Sequence, residues 1–166
     1  MKKIIIVLIA LIAIGVSIGA VSAEGFSFSF GSESNSDGGD FSLNNDKLSI
    51  QGVDFKVPEG FKENESARMV ANATEAFGEK CKVSGSEFYN NDTNIIINAF
   101  FANDGKFDDL KVNNATNKTI AGHEGFISEK EGRILFDYLV DGKIIEINAP
   151  DQQTLESILK AWITFF

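Results

Sequence analysis

Arg133-Ile134-Leu135-Phe136-Asp137-Tyr138-Leu139-Val140-Asp141-Gly142-Lys143-Ile144-Ile145-Glu146-Ile147-Asn148-Ala149 is the stretch that decides the fold. Two runs of β-branched, aromatic and aliphatic residues flank Asp141-Gly142, the signature of a two-residue type I′ turn. Such a turn fixes the register: Val140 faces Lys143, Tyr138 faces Ile145 and Phe136 faces Ile147. These residues share one face, expected to lie on the core. The opposite face carries Leu139 against Ile144 and Asp137 against Glu146.

Downstream, Pro150-Asp151 opens a helix. Leu155, Ile158, Leu159, Trp162 and Phe166 fall on one side of it at helical spacing, a stripe expected to lie on the sheet. Upstream, Lys118 to Glu129 reads as a strand interrupted by Gly122 and Gly125. Ile95 to Phe101 and Lys80 to Tyr89 read as strands joined by the turn residues Asn90 to Thr93. Lys106 to Lys111 is expected to form a helical turn, and residues 63–77 a short helix. Structure is expected to begin near Leu48, with Leu48 to Gln51 and Val53 to Val57 alternating apolar and polar residues. The sum is an α+β domain: an antiparallel meander of about six to seven strands with a C-terminal helix packed on one face.

The chain opens on Met1-Lys2-Lys3, continues in the apolar run Ile4 to Gly19, and exits through the small residues Val21-Ser22-Ala23. That is the layout of a secretory signal peptide over residues 1–23, with an uncleaved N-terminal anchor as the alternative. Residues 24–46 read as a Gly/Ser/Asp-rich flexible tether that includes the alternation Phe26-Ser27-Phe28-Ser29-Phe30. Residues 47–166 form the single domain. The expected location is secreted or at the cell surface, with no stable membrane span after cleavage.

The net charge is −9, and loss of the leader leaves 13 basic against 24 acidic residues. Such a chain repels nucleic acid and anionic membrane and favours cations or basic partners. Cys81 is the only cysteine, which excludes an internal disulfide, a thiolate metal cluster and a CxxC redox pair. It is expected to be a small buried hydrophobe, or else to form an intermolecular bridge. His123 is the only histidine. It is expected to be a half-buried or exposed strand residue, since no GxSxG elbow accompanies it.

Asp137 opposite Glu146 is the feature closest to chemistry. Opposed carboxylates on one sheet face either hold a hard cation such as Ca2+, share a proton as an acid/base pair, or splay into solvent or around a lysine. The solvated arrangement is the expectation. Asn103-Asp104-Gly105-Lys106-Phe107-Asp108-Asp109 offers oxygens without the ligand spacing of a calcium loop, and is expected to be an exposed turn. Five Asn-x-Ser/Thr sequons, at Asn64, Asn72, Asn91, Asn114 and Asn117, are candidate glycosylation sites for an exported chain.

Phe55-Lys56-Val57-Pro58-Glu59-Gly60-Phe61, Thr119 to Phe126 and Phe136 to Ile147 resemble, in this order, a group of small secreted proteins of methane-producing archaea. More loosely they resemble the PsbP-like fold over residues 48–164. The resemblance implies an antiparallel sheet flanked by helices and a non-enzymatic accessory role, and it transfers no catalytic residue. The leading expectation is a secreted or cell-surface accessory module that binds a protein, glycan or envelope partner. It would use the sheet face away from the helix, where Leu135, Leu139 and Ile144 would form an exposed apolar patch. The alternatives are a divalent-cation-binding protein using Asp137 and Glu146, and a hydrolase built around His123.

Overall fold

The structure is a computed structural model, and it describes residues 41–103 and 105–160. The expected signal peptide over residues 1–23, residues 24–40, Asp104, Trp162 and Phe166 lie outside the described residues. Among the described residues ten strands form two antiparallel sheets. The small sheet has the order β1 (Phe41–Asn44), β2 (Lys47–Ile50), β3 (Val53–Lys56). The large sheet contains β4 (Lys62–Ala76), β5 (Glu79–Tyr89), β6 (Asn94–Ala102), β7 (Thr116–Ile120), β8 (His123–Lys130), β9 (Arg133–Val140) and β10 (Lys143–Ala149). Its spatial order is β4-β5-β6-β10-β9-β8-β7. A helix, α1 (Gln152–Leu159), follows β10.

The β9–β10 hairpin has the expected register, with Val140 opposite Lys143, Tyr138 opposite Ile145 and Asp137 opposite Glu146. Asp141 and Gly142 both take positive φ, 50° and 71°, as a type I′ turn demands. The seven strands are two meanders rather than one. β4 to β6 form the first and β7 to β10 the second, and β6 joins them by pairing with β10. The connection from β6 therefore travels to the far edge of the sheet, where β7 begins.

Four local expectations are corrected. Residues 63–77 are strand β4, because pairing along β5 overrides their helix propensity. That pairing shifts register between Asn64 and Met69 and again between Met69 and Asn72. Such irregularities blur the alternation that marks a strand in sequence. Residues 41–46 belong to the β1–β2 hairpin rather than to a tether, with Phe41 opposite Ile50. Lys106 to Lys111 forms no helical turn. Its Phe107 is buried, and the Phe107 N–H donates to the Gly142 carbonyl at 2.9 Å. Finally, Lys118 to Glu129 is not one strand. Ala121-Gly122, at φ 49° and 86°, is a hairpin turn between β7 and β8.

The core lies on one face of the large sheet. Phe88, Ile97, Phe136, Tyr138, Ile145 and Ile147 are buried there with Leu48, Ile50 and Phe55 of the small sheet. The helix adds Leu155, Ile158 and Leu159 to the same cluster, as its apolar stripe requires. Asp151 caps this helix, its side chain accepting the Thr154 N–H at 2.7 Å. Gly125 has no Cβ for a packing reason. An added methyl would collide with the Asp137 carbonyl oxygen, the Tyr138 Cβ and the Phe136 ring.

A second, smaller cluster sits on the opposite face. Cys81, Val83, Phe100, Phe107 and Ile144 are buried in it, with Leu110 and Leu139 packed against them. The connection after β6 thus folds back on the sheet through Phe107 and Leu110. This overturns the expected exposed apolar patch: Ile144 is fully buried, and Leu139 and Leu135 are half-buried.

Candidate functional site

Strand pairing sets one row of side chains across the outer face. Phe126 of β8, Asp137 of β9, Glu146 of β10, Asn98 of β6 and Gly85 of β5 are successive partners. Asp137 is 2 % exposed and Glu146 8 % exposed, so the expectation of two solvated carboxylates is corrected. Asn98 Nδ2 donates to Glu146 Oε1 at 3.1 Å. Its Oδ1 fits only because Gly85 lacks a side chain at that point. Asp137 Oδ1 has no hydrogen-bond partner among the described residues. Burial first, and the charge of Glu146 second, push the Asp137 carboxyl up to about 8. Burial also raises Glu146, against the lowering effect of the Asn98 amide. Both carboxyl groups are held above their ordinary range by burial, so the pair favours sharing a proton over carrying two charges.

A second polar cluster lies towards the β5–β6 turn. The buried Glu87 carboxylate accepts Asn64 Nδ2 at 2.8 Å and Asn94 Nδ2 at 2.6 Å. Arg133 donates through Nε to Asn148 Oδ1 at 2.6 Å and through a terminal nitrogen to the Asn94 carbonyl at 2.9 Å. Its members come from β4, β5, β6, β9 and β10, which is why no local sequence signal marks it. It ties five strands together through side-chain hydrogen bonds, as a structural network does.

A concave site lies at the other end of the sheet. A pocket of about 400 Å³ opens beside the β7–β8 turn, lined among others by Leu110, Asn117, His123, Glu124, Phe126 and Leu139. Asn117, Glu124, Phe126 and Leu139 are placed on the outer face by the same register that orients Asp137. His123 packs against Tyr138 with ring centroids 4.6 Å apart, and burial pulls its pKa down, so the imidazole is neutral at pH 7. Among the described residues His123 makes no hydrogen bond to a serine or a carboxylate, the geometry a nucleophilic site requires. Sequence reasoning flagged His123 singly. It missed the pocket, because Leu110 arrives from a distant connection.

The remaining sequence-predicted residues are dispersed. Cys81 is buried and its thiol is pushed up by burial, consistent with a packing role. In the 103–109 segment Phe107 is buried, and Asp109 pairs with Lys111 at 2.7 Å. Among the described residues no three His, Cys, Asp or Glu side chains converge as metal ligands. No described helix is long and apolar enough to cross a membrane. No protein-family model matches the chain, and neither a curated protein nor a solved structure matches it.

Proposed function

We propose that the chain is a secreted or cell-surface, non-enzymatic binding module, and that its pocket takes a sugar unit of an envelope or extracellular glycan. The pocket at the β7–β8 turn carries this reading. It offers an aromatic ring at Phe126, apolar walls at Leu110 and Leu139, and the hydrogen-bonding groups of Asn117 and Glu124. Aromatic faces receive the C–H side of a sugar ring, while amide and carboxylate groups bond its hydroxyls. The acidic surface works against nucleic acid and anionic lipid and leaves neutral or basic partners. The leader-like residues 1–23 and the PsbP-like resemblance of residues 48–164 support an exported accessory role.

The test is calorimetric titration of the leaderless chain with a panel of neutral oligosaccharides, beside the variants Phe126→Ala and Glu124→Gln. Binding on the order of millimolar for a single sugar unit, lost in Phe126→Ala, is expected. Equal affinity in all three proteins, or no saccharide bound, contradicts the proposal.

Cation binding is a second reading, favoured by the opposed carboxyl groups of Asp137 and Glu146 with Asn98 beside them. The proton held on Asp137 near neutrality works against it. Titration with calcium at pH 7 is expected to give no heat, and saturable heat lost in Asp137→Asn would reinstate this reading.

A further inference from the structure

We infer that Asn117 is an N-glycosylation site and that the sugar attached there closes the pocket it lines. The inference rests on reading the chain as an exported binding module, and it divides that module into an open form with Asn117 bare, which binds external sugar, and a closed form with Asn117 occupied. Asn117-Lys118-Thr119 is a sequon on β7, the edge strand of the large sheet. All three of its residues are exposed. Asn117 and Thr119 project to the outer face, opposite Phe126 and Glu124. Lys118 points the other way and donates to Gln152 Oε1 of α1 at 2.9 Å, and the pairing of β7 with β8 sets that alternation. Neither Asn117 nor Thr119 makes a side-chain hydrogen bond among the described residues, so an extended, unengaged acceptor is presented beside the pocket mouth.

The other sequons differ in ways that matter. Asn64 donates Nδ2 to the buried Glu87 carboxylate, and its Oδ1 accepts the Ser66 hydroxyl at 2.6 Å, so both ends of that sequon are engaged. In the Asn91 sequon, Thr93 is half-buried, its N–H tied to Asn90 and its hydroxyl near Arg133. Asn72 and Asn114 are exposed, but neither lines the pocket.

The chemistry is group transfer without redox change. The Asn117 Nδ2 forms a bond to the anomeric carbon of a lipid-phosphate-linked oligosaccharide. The bond from that carbon to the phosphate oxygen breaks, and the lipid phosphate leaves with the electron pair. One Nδ2 proton passes to a base of the membrane transferase that catalyses the step. The side-chain amide stays uncharged and keeps one N–H, and the β7–β8 pairing uses backbone groups that the transfer does not touch.

The test uses a host cell that N-glycosylates its secreted proteins. The full chain is produced with its own leader and, separately, with residues 1–23 replaced by the host's leader. Occupancy of Asn117 is read by glycopeptide mass spectrometry. Closure is read in a Glu124→Cys background as the rate at which a disulfide reagent labels the introduced thiol, with and without Asn117→Gln. Cys81 is buried and gives little background. The expected result is an occupied Asn117 in exported protein and labelling several-fold slower than in the Asn117→Gln protein. Exported protein with Asn117 empty overturns the inference, as does an occupied Asn117 that leaves labelling unchanged. Export of the host-leader form alone refutes the native leader while still testing the site. Failure of saccharides to bind the sugar-free pocket refutes the proposed function while the labelling rate still reports closure.

Discussion

Asp137 places a carboxyl group in the interior of a sheet face with one oxygen unpartnered among the described residues, and the consequence is a stability that depends on pH in an unusual direction. Its folded value of about 8 lies above the ordinary 3.8, so the folded domain holds a proton that the unfolded chain has released. Stability from this group is present in full below the unfolded value, declines as pH rises from about 4 towards about 8, and levels off above. The slope can reach about 1.4 kcal/mol per pH unit for one proton. Urea denaturation across that window is expected to show the decline, and Asp137→Asn to reduce it, with the raised Glu146 carboxyl keeping part of the slope. Stability that climbs through the same window in the wild-type chain would contradict the buried pair. Gly125 sets a second residue-scale constraint. Gly125→Ala is expected to cost about 1–3 kcal/mol in the same assay, because the added methyl meets backbone and ring rather than space. The opposition of Asp137 and Glu146 was legible from the Asp141-Gly142 turn alone. Their burial was not, since it depends on Asn98, forty-eight residues before Glu146 in the chain.

At the scale of elements, the parts read correctly were those fixed by local rules. The β9–β10 register follows from a two-residue turn, and the start of α1 follows from Asp151. Removing that cap in Asp151→Ala is expected to cost about 1 kcal/mol. Residues 63–77 misled because helix propensity is a weak prior against the fixed edge of β5, and because two register shifts break the period of β4. The segment after β6 misled for another reason: its role is to cover Ile144 and Phe100 with Phe107, a contact no local pattern announces. Phe107→Ala is expected to destabilise the domain by about 3–5 kcal/mol. It should also raise the labelling rate of Cys81, which shares that cluster. An unchanged thiol rate would mean that Phe107 does not seal this face.

Across the whole molecule, two meanders are joined by one strand pair, β6 with β10, and each face of the joined sheet has its own cover. The small sheet and α1 lie on one face, and the connection carrying Phe107 and Leu110 lies on part of the other. The pocket forms where that connection meets the β7–β8 hairpin, between parts of the chain distant in sequence. That explains why the sequence pointed to a patch of Leu135, Leu139 and Ile144 and to an opposed carboxyl pair, and not to this pocket. The most direct measurement is a saccharide titration of the isotope-labelled, unglycosylated, leaderless chain followed by amide chemical shifts. The account expects saturable shifts confined to Leu110, Asn117 and residues 122–126. Shifts confined to other surfaces, or none at saturating saccharide, would contradict it.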